Sequence, residues 1–236
     1  MLRRVIVLLL CAAVPLSMFG VLMPRDPTPE ELKAINKYKL HMNKVLDQFR
    51  SAAWEEKIDF GLVQPMVNPN SDRPIDLTEI FQRTYEARKS SARYKTLVVP
   101  MVQKAQKQKD QGEKQLQMAR VEDLLHIQVR VICNVLVSTL HPGPEKKNAV
   151  VVPGAISAYR DEHNPFGYGA SYTLLFGSKK AARWDPNAGY YYYHFAHPHD
   201  SPNIENIEIR IYGADDRIKQ ILRTVDWTEV NKALTP

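Results

Sequence analysis

Cysteine is nearly missing from this sequence. Of 236 residues only Cys11 and Cys133 are cysteine, and Cys11 lies inside an apolar run at the start of the chain. A single thiol in the body closes no internal disulfide, and without a C-x-x-C spacing the cysteine-based zinc modules are excluded. The G-x-S-x-G elbow, the phosphate-binding P-loop and the helical H-E-x-x-H pair are absent too, and no nucleophile stands beside a base oriented by a third group. No unit repeats at 20–50 residues, which removes solenoids and propellers. The net charge is +6 and the pI 9.2, but no nucleic-acid-binding module accompanies that charge, so no nucleic-acid partner is expected.

The bulk composition is ordinary for a folded protein: 44% apolar and 25% charged residues. The first 24 residues are not ordinary. Arg3 and Arg4 precede a run that stays apolar from Val5 to Met23. About 19 residues at about 1.5 Å each span roughly 28 Å, close to the hydrocarbon thickness of a bilayer. A cleaved secretory signal and an uncleaved transmembrane anchor both fit, and Pro15 is tolerated in an anchor. Arginines before the run hold the N-terminus in the cytoplasm and send the body across. Residues 24–236 are therefore expected in the cell envelope, on the periplasmic or extracellular side, with the N-terminal segment in the membrane. In an oxidising compartment a lone thiol is normally buried, and Cys133 sits in an apolar run that can bury it.

Residues 25–120 read as a helical segment. Thr28, Pro29 and Glu31 form a capping box with proline at the first helical position. Ile35, Tyr38, Met42, Val45, Phe49 and Ala52 recur at spacings of three and four, so a helix with one apolar face is expected to end near Trp54. "QPMVNPNSDRP" is a loop. Asp76 and Glu79 suggest a second capped helix carrying Ile80, Phe81 and Tyr85 on its inner face. Pro100 interrupts the segment beyond it. Residues 102–120 are rich in Gln and Lys with almost no apolar stripe. They read as a solvated helix, as two helices broken near Gly112, or as a linker, and a basic contact with a membrane surface is one use for them.

At 121 the period changes. Ile127, Val129, Val131, Cys133, Val135 and Val137 alternate with other residues, which predicts a long strand with one buried face. "AVVVPG", "SYTLLFG", "YYYYHFA" and "IENIEIRIYG" supply four more strands separated by turns, the last with one wet face and a slip in its alternation near Asn206. A closing helix from Asp215 turns Ile218, Ile221 and Leu222 inward. The fold class is α+β: an antiparallel sheet domain over 121–236, covered by a C-terminal helix.

Only residues 190–200, "YYYYHFAHPHD", hint at chemistry. His194, His197, His199 and Asp200 are suitable ligands for a divalent metal such as zinc, and Glu162 and His163 are candidates to join them. The spacing matches no metal signature with a mechanical rationale. The alternative is a polar strand end rich in rings. Trp184 and Tyr190, Tyr191, Tyr192 and Tyr193, with Phe166, would then form an aromatic surface for a protein partner in the envelope. A non-enzymatic binding or assembly module without a cofactor is the first expectation. A metal-binding protein or metal-dependent hydrolase using 194–200 is the second.

Overall fold

The computed structural model describes residues 25–51, 53–57, 82–135, 137–138, 148–161, 169–188, 190–196 and 203–234. The capping box forms as expected. The Thr28 hydroxyl accepts from the Glu31 N–H at 3.3 Å, and the Glu31 carboxylate accepts from the Thr28 N–H at 2.7 Å. They start α1, Pro29–Asp47. Ile35, Met42, Val45 and Phe49 are buried, with Leu46 beside them. Each contributes roughly 1.5–3 kcal/mol by leaving water. The Tyr38 side chain and Ala52 lie outside the described residues. The helix stops seven residues short of Trp54, which instead opens strand β1, Trp54–Lys57.

A second difference lies close by. Where a helix was expected around Tyr85, Gln82–Ala87 is strand β2. Tyr85 pairs across to Ile127, and its hydroxyl donates to the Leu46 carbonyl at 2.9 Å. Those long-range contacts override a local pattern that suited either structure. Residues 76–81 lie outside the described residues. From Ala92 the chain is helical, widening to a π-turn over Tyr94–Val98 before α2, Val99–Gln106. Pro100 sits in the first turn of α2 and lacks the N–H a regular helix would use there, and the π-turn just before it absorbs the mismatch. Helix α3, Gln111–Leu125, starts at Asp110, whose carboxylate accepts from the Glu113 N–H at 2.8 Å. The break between the two helices is therefore at 107–110, and Gly112 is helical.

Strand β3, His126–Cys133, alternates half-buried and buried residues without exception. It ends at Asn134, which adopts φ 54°, a left-handed conformation asparagine tolerates. The Asn134 amide donates to the Asn203 carbonyl, and the Asn206 amide donates to the Val135 carbonyl, both at 2.9 Å. This latch stops the long strand that the alternation up to Val137 predicted. It also explains the slip near Asn206, whose side chain is committed to Val135. The chain resumes as β4, Val137–Ser138. Then come β5, Ala155–Asp161; β6, Ala170–Gly177; β7, Ala182–Asp185; β8, Tyr190–Tyr193; and β9, Asn206–Gly213. Helices α4, Asp215–Thr224, and α5, Thr228–Ala233, close the chain. Of "AVVVPG", only Ala149 bridges, to Tyr159, and the strand lies just after it.

The main sheet is antiparallel in the order β1-β2-β3-β9-β6-β5, so β1 and β2 from the N-terminal half extend a sheet centred on the C-terminal half. β4, β8 and β7 form a separate small sheet. One face of the main sheet, including Val129, Ile209, Leu174 and Tyr85, packs on α1, α4 and α5. Trp227 sits in that layer, stacked on Phe176 at 5.8 Å and edge-on to Phe49 at 6.3 Å. The architecture is α+β, an antiparallel sheet with helices on one face. Gly213, at φ 133°, stands where β9 meets both β3 and β6, and a Cβ there would lie 2.2 Å from the His126 carbonyl oxygen. Among the described residues no helix is long and apolar enough to cross a membrane, and residues 1–24 lie outside them.

Candidate functional site

The ring-rich stretch does not make one platform. Trp184 and Tyr191 face each other across β7 and β8, ring centroids 5.2 Å apart, and both are half-buried, as is Tyr190. Tyr193 is buried at 1% exposure and stacks on Phe195. Burial drives its phenol pKa up, and its hydroxyl has no hydrogen-bond partner among the described residues. Tyr192 alone of the four tyrosines is exposed, its ring edge-on to His194 at 5.1 Å. The His194 N–H donates to the Ala181 carbonyl, and the residue is exposed. His197, His199, Asp200, Glu162, His163 and Phe166 lie outside the described residues. Among the described residues no three His, Cys, Asp or Glu side chains gather as a metal site.

The other face of the main sheet, expected to be wet on β9, is buried and polar. Glu208 is fully buried and paired with Arg210, with Thr173, Tyr159 and Tyr212 around them. Burial pushes the Tyr159 and Tyr212 hydroxyls up. With Glu208 at 0% exposure, this row is not presented to a ligand.

The most distinctive arrangement lies at the β1 end of the sheet. There the end of α1, strands β1 and β2, and the start of α4 meet. Arg50, Ser51, Trp54, Glu56, Tyr85 and Arg88 line an open cavity of ≈ 520 Å³. Arg50 pairs with Glu56 at 2.8 Å, and Arg83 reaches Asp47 at 2.6 Å and Glu56 at 3.6 Å. Arg93 lies over the Trp54 ring, its guanidinium carbon 5.2 Å from the centroid, and binds both oxygens of Asp216 at 2.6 and 2.9 Å. Its Nε is buried without a partner among the described residues. Asp216 is held below the usual carboxylate range by that arginine.

Two arginines here bond no carboxylate among the described residues, although the charge of Asp216 acts on one of them, Arg217. Arg88 donates through Nε to the Trp54 carbonyl at 3.2 Å. Arg217, 6% exposed, donates to the Phe49 carbonyl at 2.9 Å and to the Gln220 side chain at 3.1 Å. Burial, and then the charge of Arg93, pull its guanidinium below its ordinary value. Five arginines thus face three carboxylates, Asp47, Glu56 and Asp216. A buried cation with no bonded counter-ion is costly, and an anion held near it would offset part of that cost. Arginine also presents the planar fork that grips carboxylates and phosphates.

Sequence reading missed this site. Its residues come from distant stretches of chain, as the Phe49–Arg217 contact across 168 positions illustrates, and each on its own reads as a solvated helix or strand residue. No protein-family model, curated protein or solved structure matches the chain.

Proposed function

We propose that this protein is a non-enzymatic binding or assembly module of the cell envelope that grips an anionic group of a protein partner in the arginine-lined cavity. The observation that carries the reading is the cation surplus around that cavity, with Arg50 and Arg88 in its wall and Arg217 buried close by, bonded to the Phe49 carbonyl. The apolar run after Arg3 and Arg4 supports the envelope location. Partner strands are a less favoured mode of docking. The outer edge of β5 is already occupied by residues 148–150, and Arg88 covers the Trp54 carbonyl on β1.

The test is a titration of the full chain with inorganic phosphate and with a short glutamate peptide, read by thermal melting. Ligand that binds only the folded state raises the melting temperature saturably. That rise is expected to vanish in an Arg50→Ala/Arg88→Ala variant. No saturable rise with either probe, or one that survives the double substitution, defeats the reading.

A further inference from the structure

The positive charge of this protein is not spread over it. Residues 94–120 hold six basic side chains and two acidic ones, a net +4 of the total +6 in 27 residues, without the cavity arginines Arg88 and Arg93. These 27 residues include the π-turn, α2, the short connection at 107–110, and most of α3, a helical hairpin set between β2 and β3. Its small interior is Val98, Ala105 and Val121, and Tyr94, Leu124 and Leu125 fasten it to the main core. Most of the remainder faces solvent. Among the described residues Lys95, Lys104, Lys107, Lys109, Lys114 and Arg120 pair with no carboxylate.

We propose that this hairpin docks electrostatically on an anionic lipid surface. Its chemistry differs from that of the cavity. The cavity uses arginines, whose rigid fork suits a defined anion. The hairpin uses mainly lysines, mobile and strongly hydrated point charges that suit the diffuse negative layer of phospholipid headgroups. Single-stranded nucleic acid fits less well, because binding it relies on exposed rings that stack on bases. The only ring in 88–120 is Tyr94, which packs on the core. The bilayer is also the partner brought near by the chain itself, through the apolar run from Val5 to Met23. The inference concerns a surface separate from the arginine cavity and rests on the same reading of residues 1–24 as a membrane segment.

The experiment uses the full chain with a Cys11→Ser change and a donor dye on Gln106→Cys, an exposed position of α2. Cys133 stays unlabelled because it is buried. The protein is reconstituted into vesicles of phosphatidylcholine alone, or with about one-third phosphatidylglycerol, a composition chosen to give an anionic surface. Each carries a headgroup-labelled acceptor lipid. Energy transfer is expected to be higher on the anionic vesicles and to fall to the neutral level in roughly 0.5 M salt, where screening is short-ranged. Lys104→Gln/Lys107→Gln/Lys109→Gln/Lys114→Gln should lower the docked-to-free ratio at least about tenfold, since each lysine near such a surface contributes about a factor of five. Recovery of protein with both vesicle types reads the N-terminal segment independently. Equal transfer on the two vesicles, or transfer indifferent to salt, overturns the proposal. So does displacement of the hairpin from anionic vesicles by a stoichiometric single-stranded oligonucleotide, which would assign the surface to nucleic acid.

Discussion

Replacing Arg217 with methionine separates a structural role from a ligand-binding one. The side chain is 6% exposed and makes two hydrogen bonds, to the Phe49 carbonyl and the Gln220 side chain. Losing two charge-assisted bonds costs about 3 kcal/mol, at about 1.5 each. Against this, the arginine is a buried cation near Arg93 whose cost the Asp216 charge offsets only in part, and removing such a charge returns a few kcal/mol, on the order of 1–4. Methionine keeps the apolar stem packed and fills irregular space. The two effects nearly cancel, so Arg217→Met is expected to change unfolding free energy by less than about 1 kcal/mol. Urea titration read by tryptophan fluorescence measures this. The same variant should lose most of the stabilisation that phosphate gives the parent, which reaches about 2.7 kcal/mol at a hundredfold excess over Kd. A loss of about 3 kcal/mol or more in the absence of ligand would mean that the arginine is a strut, and undiminished stabilisation by phosphate would mean that it faces no anion. Either result refutes the argument.

Four more perturbations have defined outcomes. Gly213→Ala should destabilise by about 3 kcal/mol or more, because the new methyl meets the His126 carbonyl at 2.2 Å and φ is 133°; chemical denaturation checks it. Glu31, held at about 2 mainly by its bond to Arg25, has a depressed folded pKa, so its contribution to α1 is complete above 4.5 and lost as pH falls toward 2; a carboxyl NMR titration should show the Glu31 midpoint rising in Arg25→Ala. Cys133, whose thiol burial pushes up to about 12, should resist thiol reagents in the native protein and react only on unfolding, as peptide mapping would reveal. Read as a strand end rather than a metal site, residues 190–200 predict that zinc leaves the melting temperature unchanged in the parent and in His197→Ala/His199→Ala alike. One tightly bound equivalent lost in the double variant would instead identify His194, His197, His199 and Asp200 as ligands.

The parts of the fold legible in the sequence are those where one local rule decides. Thr28 and Glu31 announce the start of α1 because a capping box needs only four consecutive residues. The alternation from Ile127 to Cys133 is reproduced position by position because β3 is central and one of its faces is packed on helices. Legibility fails where a distant residue decides. Tyr85 fits a helical stripe, and only its pairing with Ile127 and its bond to Leu46 make it a strand residue. The alternation past Cys133 reads as more strand, and only the side-chain bonds that Asn134 and Asn206 make across the strand ends stop it. The wet face expected on β9 is buried, because alternation reveals that two faces differ and not what covers the second. Residues 190–193 look like a ring platform in one dimension, yet Tyr193 serves the interior and Tyr192 the surface.

Several departures from local rules meet at one corner. Natural chains keep local preference and global fold in agreement, and exceptions tend to collect where function demands them. Here the helix expected around Tyr85 gives way to β2, and a π-turn replaces an α-turn within a few residues of it. Arg93 keeps a buried Nε without a partner among the described residues. Arg217 is buried beside another cation, with no carboxylate bonded to it among those residues. The first three border the cavity of Arg50, Trp54 and Arg88 or the segment leading from it into the hairpin, and Arg217 bonds the Phe49 carbonyl next to Arg50. If stability alone had shaped the β1 end, a methionine at 217 would have served as well. Keeping it as arginine places a standing electrostatic cost beside the cavity that Arg50 and Arg88 line, and this links the fold's least regular corner to binding.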